Sequence, residues 1–309
     1  MGNELIAFAG GWEAHRHHHC IWIVSPPGYI YSHAFDEVAE GLSAAFSELG
    51  GSAPIVRDPS EWRGRIPIVL GAHLLKLAGD PGLPQGSVIF NLEQVRPEAA
   101  WLHGDYVDLL KRHSVLDYSP RNREALRQIG VPHAGLLEIG YSPVLSRIPA
   151  APEKDIDVLF YGWLNERREL ALNSIAQAGS PVCICYDMFG AERDAYIARA
   201  KLVVNIHHFE RAIFEVVRVS FLLANGACVV SEGRADDPDL AWVANGVELC
   251  PLEQLPERCA SLIEDAPRRH QLAQTGLQKI KARRQSALLM HCIESARSSA
   301  GRASTPDST

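Results

Sequence analysis

The clearest succession of apolar and polar segments lies in residues 200–234, AKLVVNIHHFERAIFEVVRVSFLLANGACVVSEGR. Residues 202–206 are a β-branched run of strand length. A polar loop over 207–211 follows, and residues 213–224 are apolar on most faces, as a buried helix is. Asn225 and Gly226 supply a helix stop, because glycine tolerates the left-handed conformation of a C-cap. Residues 227–230 form a second apolar run that ends at Ser231, Glu232 and Gly233. Two nearly all-apolar strands joined by a buried helix predict a βαβ unit of a parallel sheet. Ligands of open α/β sheets bind beyond the carboxyl ends of the strands. That rule puts His207, His208, Glu210, Glu215, Ser231 and Glu232 near one rim.

The same alternation runs through the rest of the chain. The pattern predicts a strand at 21–24, a loop Ser25-Pro26-Pro27-Gly28-Tyr29, and a helix over 32–49. Ser32 reads as the N-cap of that helix, with Ala34, Val38, Leu42 and Phe46 on its inner face. Strands follow at 55–56, 66–70 and 88–92, then a helix at 106–112, a short strand at 115–118 and a helix capped by Ser119. Residues 140–152 are rich in proline and small side chains and read as a linker. Beyond it come a strand at 157–161, the loop Gly162-Trp163-Leu164-Asn165, a helix at 166–178, a strand at 182–185 and a helix at 191–200. After residue 234 the pattern predicts a helix at 236–244, a strand at 247–249, helices across 253–282 and a last helix near 285–297. Residues 298–309 are small and polar, the composition of a disordered tail.

With 309 residues, 47% hydrophobic and 22% charged, the chain has enough material for about two soluble domains. A formal charge of −7 argues against non-specific nucleic-acid binding. No apolar run reaches membrane-spanning length and no signal-peptide pattern opens the chain, so a cytoplasmic location is expected. The seven cysteines lie mostly in apolar contexts without a Cys-x-x-Cys pair, which predicts reduced, buried thiols. Neither a Gly-x-Gly-x-x-Gly after a strand nor a Walker A pattern is present.

Candidate chemistry follows from position. His15, His17, His18 and His19 in HRHHHC are either metal ligands or an ordinary strand entry, and the second reading carries more weight. His33 sits at a helix start, and His73 and Glu93 at strand ends; each could orient a substrate or act as a base. Arg167 and Arg168 lie in the first turn of a helix, where backbone N–H groups and arginines together favour an anion. Arg218 stands one turn beyond Glu215, placed either to bind an anion or to pair with that glutamate.

The segments DVLFYGWLNERRELALNSI, FGAERDAYIARAKLVVNIHHFERAIFEVVRVSFLLANGACVVSE and YSPRNREALRQIGV resemble the GT-B-type glycosyltransferases, within them the group 1 and spore-maturation-protein-like branch. The resemblance covers about residues 115–235. It implies an α/β fold of two Rossmann-like domains whose parallel sheets face each other across a cleft. The domains would be 1–150, on the acceptor side, and 151–285, binding the nucleotide sugar, with helix 286–297 crossing back. It implies transfer of a hexose from a nucleotide-diphosphate sugar, uridine-linked, to an unidentified acceptor. Alternatives within the same fold are a catalytically silent binder of a sugar nucleotide or partner, and a sugar-nucleotide 2-epimerase.

Phe214 and Glu215, followed by Ala224-Asn225-Gly226, resemble a stretched form of the family's F-E-x-x-A-x-G segment. This implies that Glu215 binds the donor ribose. His207 stands where many retaining members carry a further glutamate, and it joins the catalytic candidates. Gly162, Asn165 and Arg167 or Arg168 correspond to the phosphate-binding loop and its cation, with Arg218 as an alternative and His208 beside them. An inverting route would take its base from His33, His73 or Glu93. No cofactor or metal is expected, because protein groups carry the charge of the leaving diphosphate in such enzymes. Asp155-Ile156-Asp157 has the spelling of a metal motif but opens a buried strand.

Overall fold

The computed structural model describes residues 5–96, 99, 102, 104–210 and 212–303, with side chains through residue 296. The chain divides into two compact units, Met1–Ile139 with Gln285–Thr309, and Gly140–Arg284. No helix among the described residues is long and apolar enough to cross a membrane. All seven cysteines are free thiols, and all but Cys183 are buried.

The first unit runs α1 (Trp12–His15), β1 (His19–Ile23), α2 (Asp36–Glu48), β2 (Ile55–Val56), β3 (Ile66–Leu70), β4 (Val88–Asn91), α3 (Gly104–Arg112), β5 (Ser114–Asp117), α4 (Pro120–Gln128) and β6 (Gly135–Leu136). Its strands form one parallel sheet in the order β2-β1-β3-β4-β5-β6. Strands β1, β4 and β5 are buried at every residue, which is why β1 and β4 read as apolar rather than alternating runs.

The helix expected from Ser32 begins instead as a 3-10 turn, Ile30–Phe35, and becomes α-helical at Asp36. Ser32 does not cap it. Its hydroxyl is buried and donates to the carbonyl of Val24 at 2.9 Å, whereas a cap must accept from an N–H. Val38, Leu42 and Phe46 are buried as expected; Ala34, in the 3-10 turn, is exposed. Ser119 does cap α4, accepting from the N–H of Asn122, with Pro120 in the first turn.

The second unit runs β7 (Ile156–Tyr161), α5 (Glu166–Gln177), β8 (Val182–Cys185), α6 (Gly190–Arg199), β9 (Ala200–Asn205), α7 (Val216–Ala224), β10 (Val229–Glu232), β11 (Glu248–Cys250), α8 (Leu255–Glu264) and α9 (Ala266–Lys281). Its parallel sheet has the order β11-β10-β9-β7-β8. Alternate residues feed two cores. Val158, Phe160, Leu202, Val204 and Val230 pack with α5 and α8, while Leu159, Tyr161, Val203 and Val229 pack with α7.

Helix α7 is shorter than its apolar run. It starts at Val216, leaving Ile213 and Phe214 in the approach and Glu215 as the residue before the first turn. It ends at Gly226, whose φ of +65° lets the N–H of Ala227 reach Leu222 O at 3.0 Å and that of Gly226 reach Leu223 O at 3.1 Å. The helix expected at 236–244 is a 3-10 turn, Pro238–Val243. Asp265 splits the helical stretch 253–282, its carboxylate accepting from the N–H of Arg268 at 2.9 Å to start α9.

Residues 140–152 belong to the second unit; Tyr141 N–H donates to Arg283 O at 2.7 Å. The last helix, α10 (Gln285–Ala303), belongs to the first unit and packs against α2, burying Leu289, Cys292 and Ile293. It continues through residues whose composition reads as a tail. Residues 304–309 and Arg211, the end of the loop at 207–211, lie outside the described residues.

Candidate functional site

The carboxyl ends of β7, β9 and β10 bring together three arginines, two glutamates and two histidines in the second unit. Asn165 starts α5 by accepting from the N–H of Arg168 at 3.0 Å, and its amide donates to His208 O at 2.8 Å. Arg167 donates to His207 O at 2.9 Å and to Glu232 Oε2 at 2.8 Å, and its second Nη reaches Glu232 Oε1. That paired carboxylate raises the arginine's pKa further, against the opposing effect of partial burial. Arg168 is buried. It donates to Ile206 O at 2.9 Å and Trp163 O at 2.7 Å and faces Glu215 Oε1 at 3.5 Å. Burial, then the neighbouring charge of Arg218, pulls its pKa down to about 10. Both arginines predicted to meet a ligand are thus committed to holding the loops in place.

Arg218 differs. One Nη donates to Asn205 Oδ1 at 3.2 Å, and the guanidinium lies 5.2 Å from the ring centre of Tyr161 and 5.9 Å from that of Phe160. Its other N–H groups have no hydrogen-bond partner among the described residues. It does not pair with Glu215, the alternative left open by the spacing; Asn205 stands between them, donating to Glu215 Oε2 at 3.0 Å and to Ser231 Oγ at 3.0 Å. Gly162 accommodates this arginine. A Cβ there would lie 2.6 Å from Arg218 Nη2, and the φ of +126° is one that other residues avoid. Phe214 packs into the core. His208 is half-buried, and burial, then the charge of Arg168, lowers its pKa. Trp163 and Tyr186 are exposed on the loops after β7 and β8, with ring centres 5.8 Å apart.

In the first unit the structure pairs two of the three base candidates and gives the third another partner. His33 is exposed and bonded to Asp36 at 2.7 Å, the local hydrogen bond that competes with a ligand role. His73 and Glu93 come together, with Nε2 and Oε1 3.8 Å apart. A third of the Glu93 side chain is open to solvent, yet the carboxyl sits among enough protein atoms for burial to raise its pKa to about 7.

Beneath this pair lies a polar network that sequence reasoning missed. Asp117 is fully buried, accepts from Asn91 Nδ2 at 2.7 Å, Asn122 Nδ2 at 3.2 Å and the N–H of Ser119 at 2.8 Å, and is raised to about 7 by burial. Both amides also donate to Glu93 O at 2.8 Å, and Tyr106 donates to Asn91 Oδ1 at 3.1 Å. The available signal was a single polar residue ending an apolar strand: Asn91, Asp117 and, in the second unit, Asn205.

The histidine run behaves as a strand entry. His15 Nδ1 and His19 Nε2 are 2.9 Å apart, their outer nitrogens meet Ala9 O and Ile66 O, and burial lowers His19 to about 3. The described residues hold no group of three or more His, Cys, Asp or Glu able to bind a metal ion. Asp155 and Asp157 are paired with Arg199 and Lys201.

No protein-family model matches the chain. An uncharacterized protein of Acanthamoeba polyphaga mimivirus is 29% identical over 161 residues, 48% of this chain and 52% of that protein, so the chain spans about half the length of this relative. Solved structures extend over the whole fold. Anabaena HepE in complex with UDP and glucose is similar with a TM-score of 0.62 at 14% identity, covering 91% of this chain and 100% of that one. Sucrose-phosphate synthase of Thermosynechococcus elongatus gives 0.60 at 11% identity over 93% and 100%. AviGT4, a glycosyltransferase involved in avilamycin A biosynthesis, gives 0.58 at 16% over 92% and 98%. The chain therefore has the fold of the GT-B glycosyltransferases.

Proposed function

We propose that this protein is a glycosyltransferase that moves a sugar from a nucleotide-diphosphate sugar, uridine-linked, to an acceptor nucleophile. The observation that carries the reading is Arg218, seated against Gly162 with unspent N–H groups, beside Glu215 at the head of α7. As the nucleoside diphosphate departs it gains negative charge. A preorganised guanidinium and the start of α5 are placed to stabilise that charge without moving. Glu215 keeps acceptor capacity for ribose hydroxyls, as only part of its carboxylate is occupied by Asn205 and Arg168. The exposed rings of Trp163 and Tyr186 offer a surface for the base. In the first unit, Glu93 is the base we favour. A carboxyl with a pKa near 7 keeps enough basicity at neutral pH to take a proton from an acceptor hydroxyl, and His73 stands 3.8 Å from it.

The test is a thermal-shift titration with UDP and UDP-glucose without added metal, since a ligand that binds only the folded state must raise the melting temperature. UDP should stabilise the wild type and fail to stabilise Arg218→Ala or Glu215→Ala. Release of UDP from UDP-glucose then separates a transferase from a protein that only binds. Absence of any shift by nucleoside diphosphates would sink the reading.

A further inference from the structure

Two catalytic candidates differ in access. His207 is 8% exposed, its ring enclosed by Glu215 and Glu232, and it offers a ligand no open contact. Glu93 keeps a third of its side chain open to solvent, and the polar groups beneath it all act on the loop that carries it.

Asn91 and Asp117 are register partners at the carboxyl ends of β4 and β5, and the parallel ladder already joins those strands. Asn91, Asp117 and Asn122 are nonetheless polar and at most 1% exposed. Asn91 Nδ2 and Asn122 Nδ2 each donate to Glu93 O at 2.8 Å, the first from the strand end and the second from α4. The N–H of Val95 donates to Asn122 Oδ1 at 3.0 Å, so Asn122 holds the loop on both sides of Gln94. The same two Nδ2 atoms donate to Asp117 Oδ2, at 2.7 and 3.2 Å, which uses both protons of each amide. Asp117 Oδ1 accepts from the N–H of Ser119 at 2.8 Å, and Asn91 Oδ1 accepts from Tyr106 at 3.1 Å. Every polar side-chain atom of the three is therefore bonded. A buried network satisfied in this way fixes one geometry and loses it when a member is removed. Strand pairing calls for none of these bonds, whereas a fixed position for Glu93 calls for all of them.

We propose that Asn91, Asp117 and Asn122 are positioning residues for the reaction, holding the Glu93 carboxyl where it takes the acceptor's proton. Buried as they are, they act through Glu93 and reach no substrate themselves. The proposal rests on the reading of Glu93 as the base. In the transfer, Glu93 takes the hydroxyl proton as the acceptor oxygen bonds the anomeric carbon, and the electron pair of the broken bond leaves on the diphosphate. Facing Glu93 are His73 from the turn after β3, Tyr29 from the loop after β1 and Tyr106 from α3, with Asp117 beneath its main chain. Burial raises the Glu93 carboxyl to about 7; a loop set free admits water and lets that value fall toward the ordinary carboxylate range.

The experiment follows UDP release from UDP-glucose with water as the acceptor. Alongside it, NMR reads the titration of Glu93 from glutamate labelled with ¹³C at Cδ, which leaves Asp117 silent, and Glu93→Gln assigns the signal. The wild type is compared with Asn122→Ala, and with Asn91→Ala should the first fold poorly. Either variant should lose about tenfold or more in kcat while KM for UDP-glucose stays within about twofold. The Glu93 midpoint should move down from about 7 in the same variant. A network that only stabilises the fold would lower the melting temperature and move neither. The role is overturned if a folded variant keeps the wild-type kcat, or loses it with the Glu93 midpoint unmoved. Should neither variant fold, the wild-type titration decides: a midpoint of about 7 supports a held carboxyl, and one in the ordinary carboxylate range overturns it. If Glu93→Gln releases UDP as fast as the wild type, Glu93 is not the base and its positioning falls with it, while the donor reading stands. If the wild type releases no UDP, the positioning role falls together with the transferase reading.

Discussion

At the scale of single residues, arginines that look alike in sequence do different work. Arg168 is spent on Ile206 O, Trp163 O and Glu215, all inside the protein. Arg168→Met leaves those partners buried and unpaired and should cost roughly 3 kcal/mol or more, read from urea unfolding. Arg218→Met should cost about 1–2 kcal/mol in the same assay but lower UDP affinity at least tenfold, because its loss falls on the ligand. Gly162→Ala should copy the Arg218 variant in binding, since the added Cβ, 2.6 Å from Nη2, displaces the guanidinium. A Gly162→Ala protein that binds UDP like the wild type would contradict the assignment.

At the scale of elements, the buried groups ending β5 and opening β1 pull stability in opposite directions with pH. Asp117 is near 3.8 when unfolded and about 7 when folded, so the folded state holds its proton more tightly and stability is lost as pH rises from about 4 to 7. His19 is near 6.5 unfolded and about 3 folded, so stability is lost as pH falls from 6.5 to 3. Asp117→Asn removes only the first effect. Relative to the wild type, it should become more favourable by a few kcal/mol between pH 4 and pH 8, measured by denaturant titration at each pH. A flat difference would show that Asp117 is ionised in the fold throughout. Helix α10 offers a second test: Leu289 is fully buried, and Leu289→Ala should destabilise the first unit by about 2–5 kcal/mol.

At the scale of the whole molecule, two units with separate cores need not melt together. Calorimetry should show UDP at about 100 times its Kd adding roughly 2.7 kcal/mol to the second unit, and Glu215→Ala should erase that gain. Leu289→Ala should lower the other unit's transition instead. If UDP moved only the transition weakened by Leu289→Ala, the donor site would be on the wrong unit.

The apolar runs within β1, β4, β7 and β9 were legible in the amino-acid sequence, because a strand segment buried on both faces has no polar face to record. So was the gathering of His207, His208, Glu215 and Glu232 at one rim, which follows from strand direction alone. The partners of those side chains were not. Whether Arg167, Arg168 or Arg218 has donors to spare depends on carbonyls and carboxylates brought in from Trp163, Ile206 and Glu232, up to 65 positions away. Ser32 had the composition of a cap and the position of a strand-end partner, and the tertiary environment chose the second. Local pattern determined which segments fold and which ends they turn toward a ligand. Only the packed structure decided which charges are neutralised within it and which are left for something to bind, because that is set by distances between residues the chain keeps far apart.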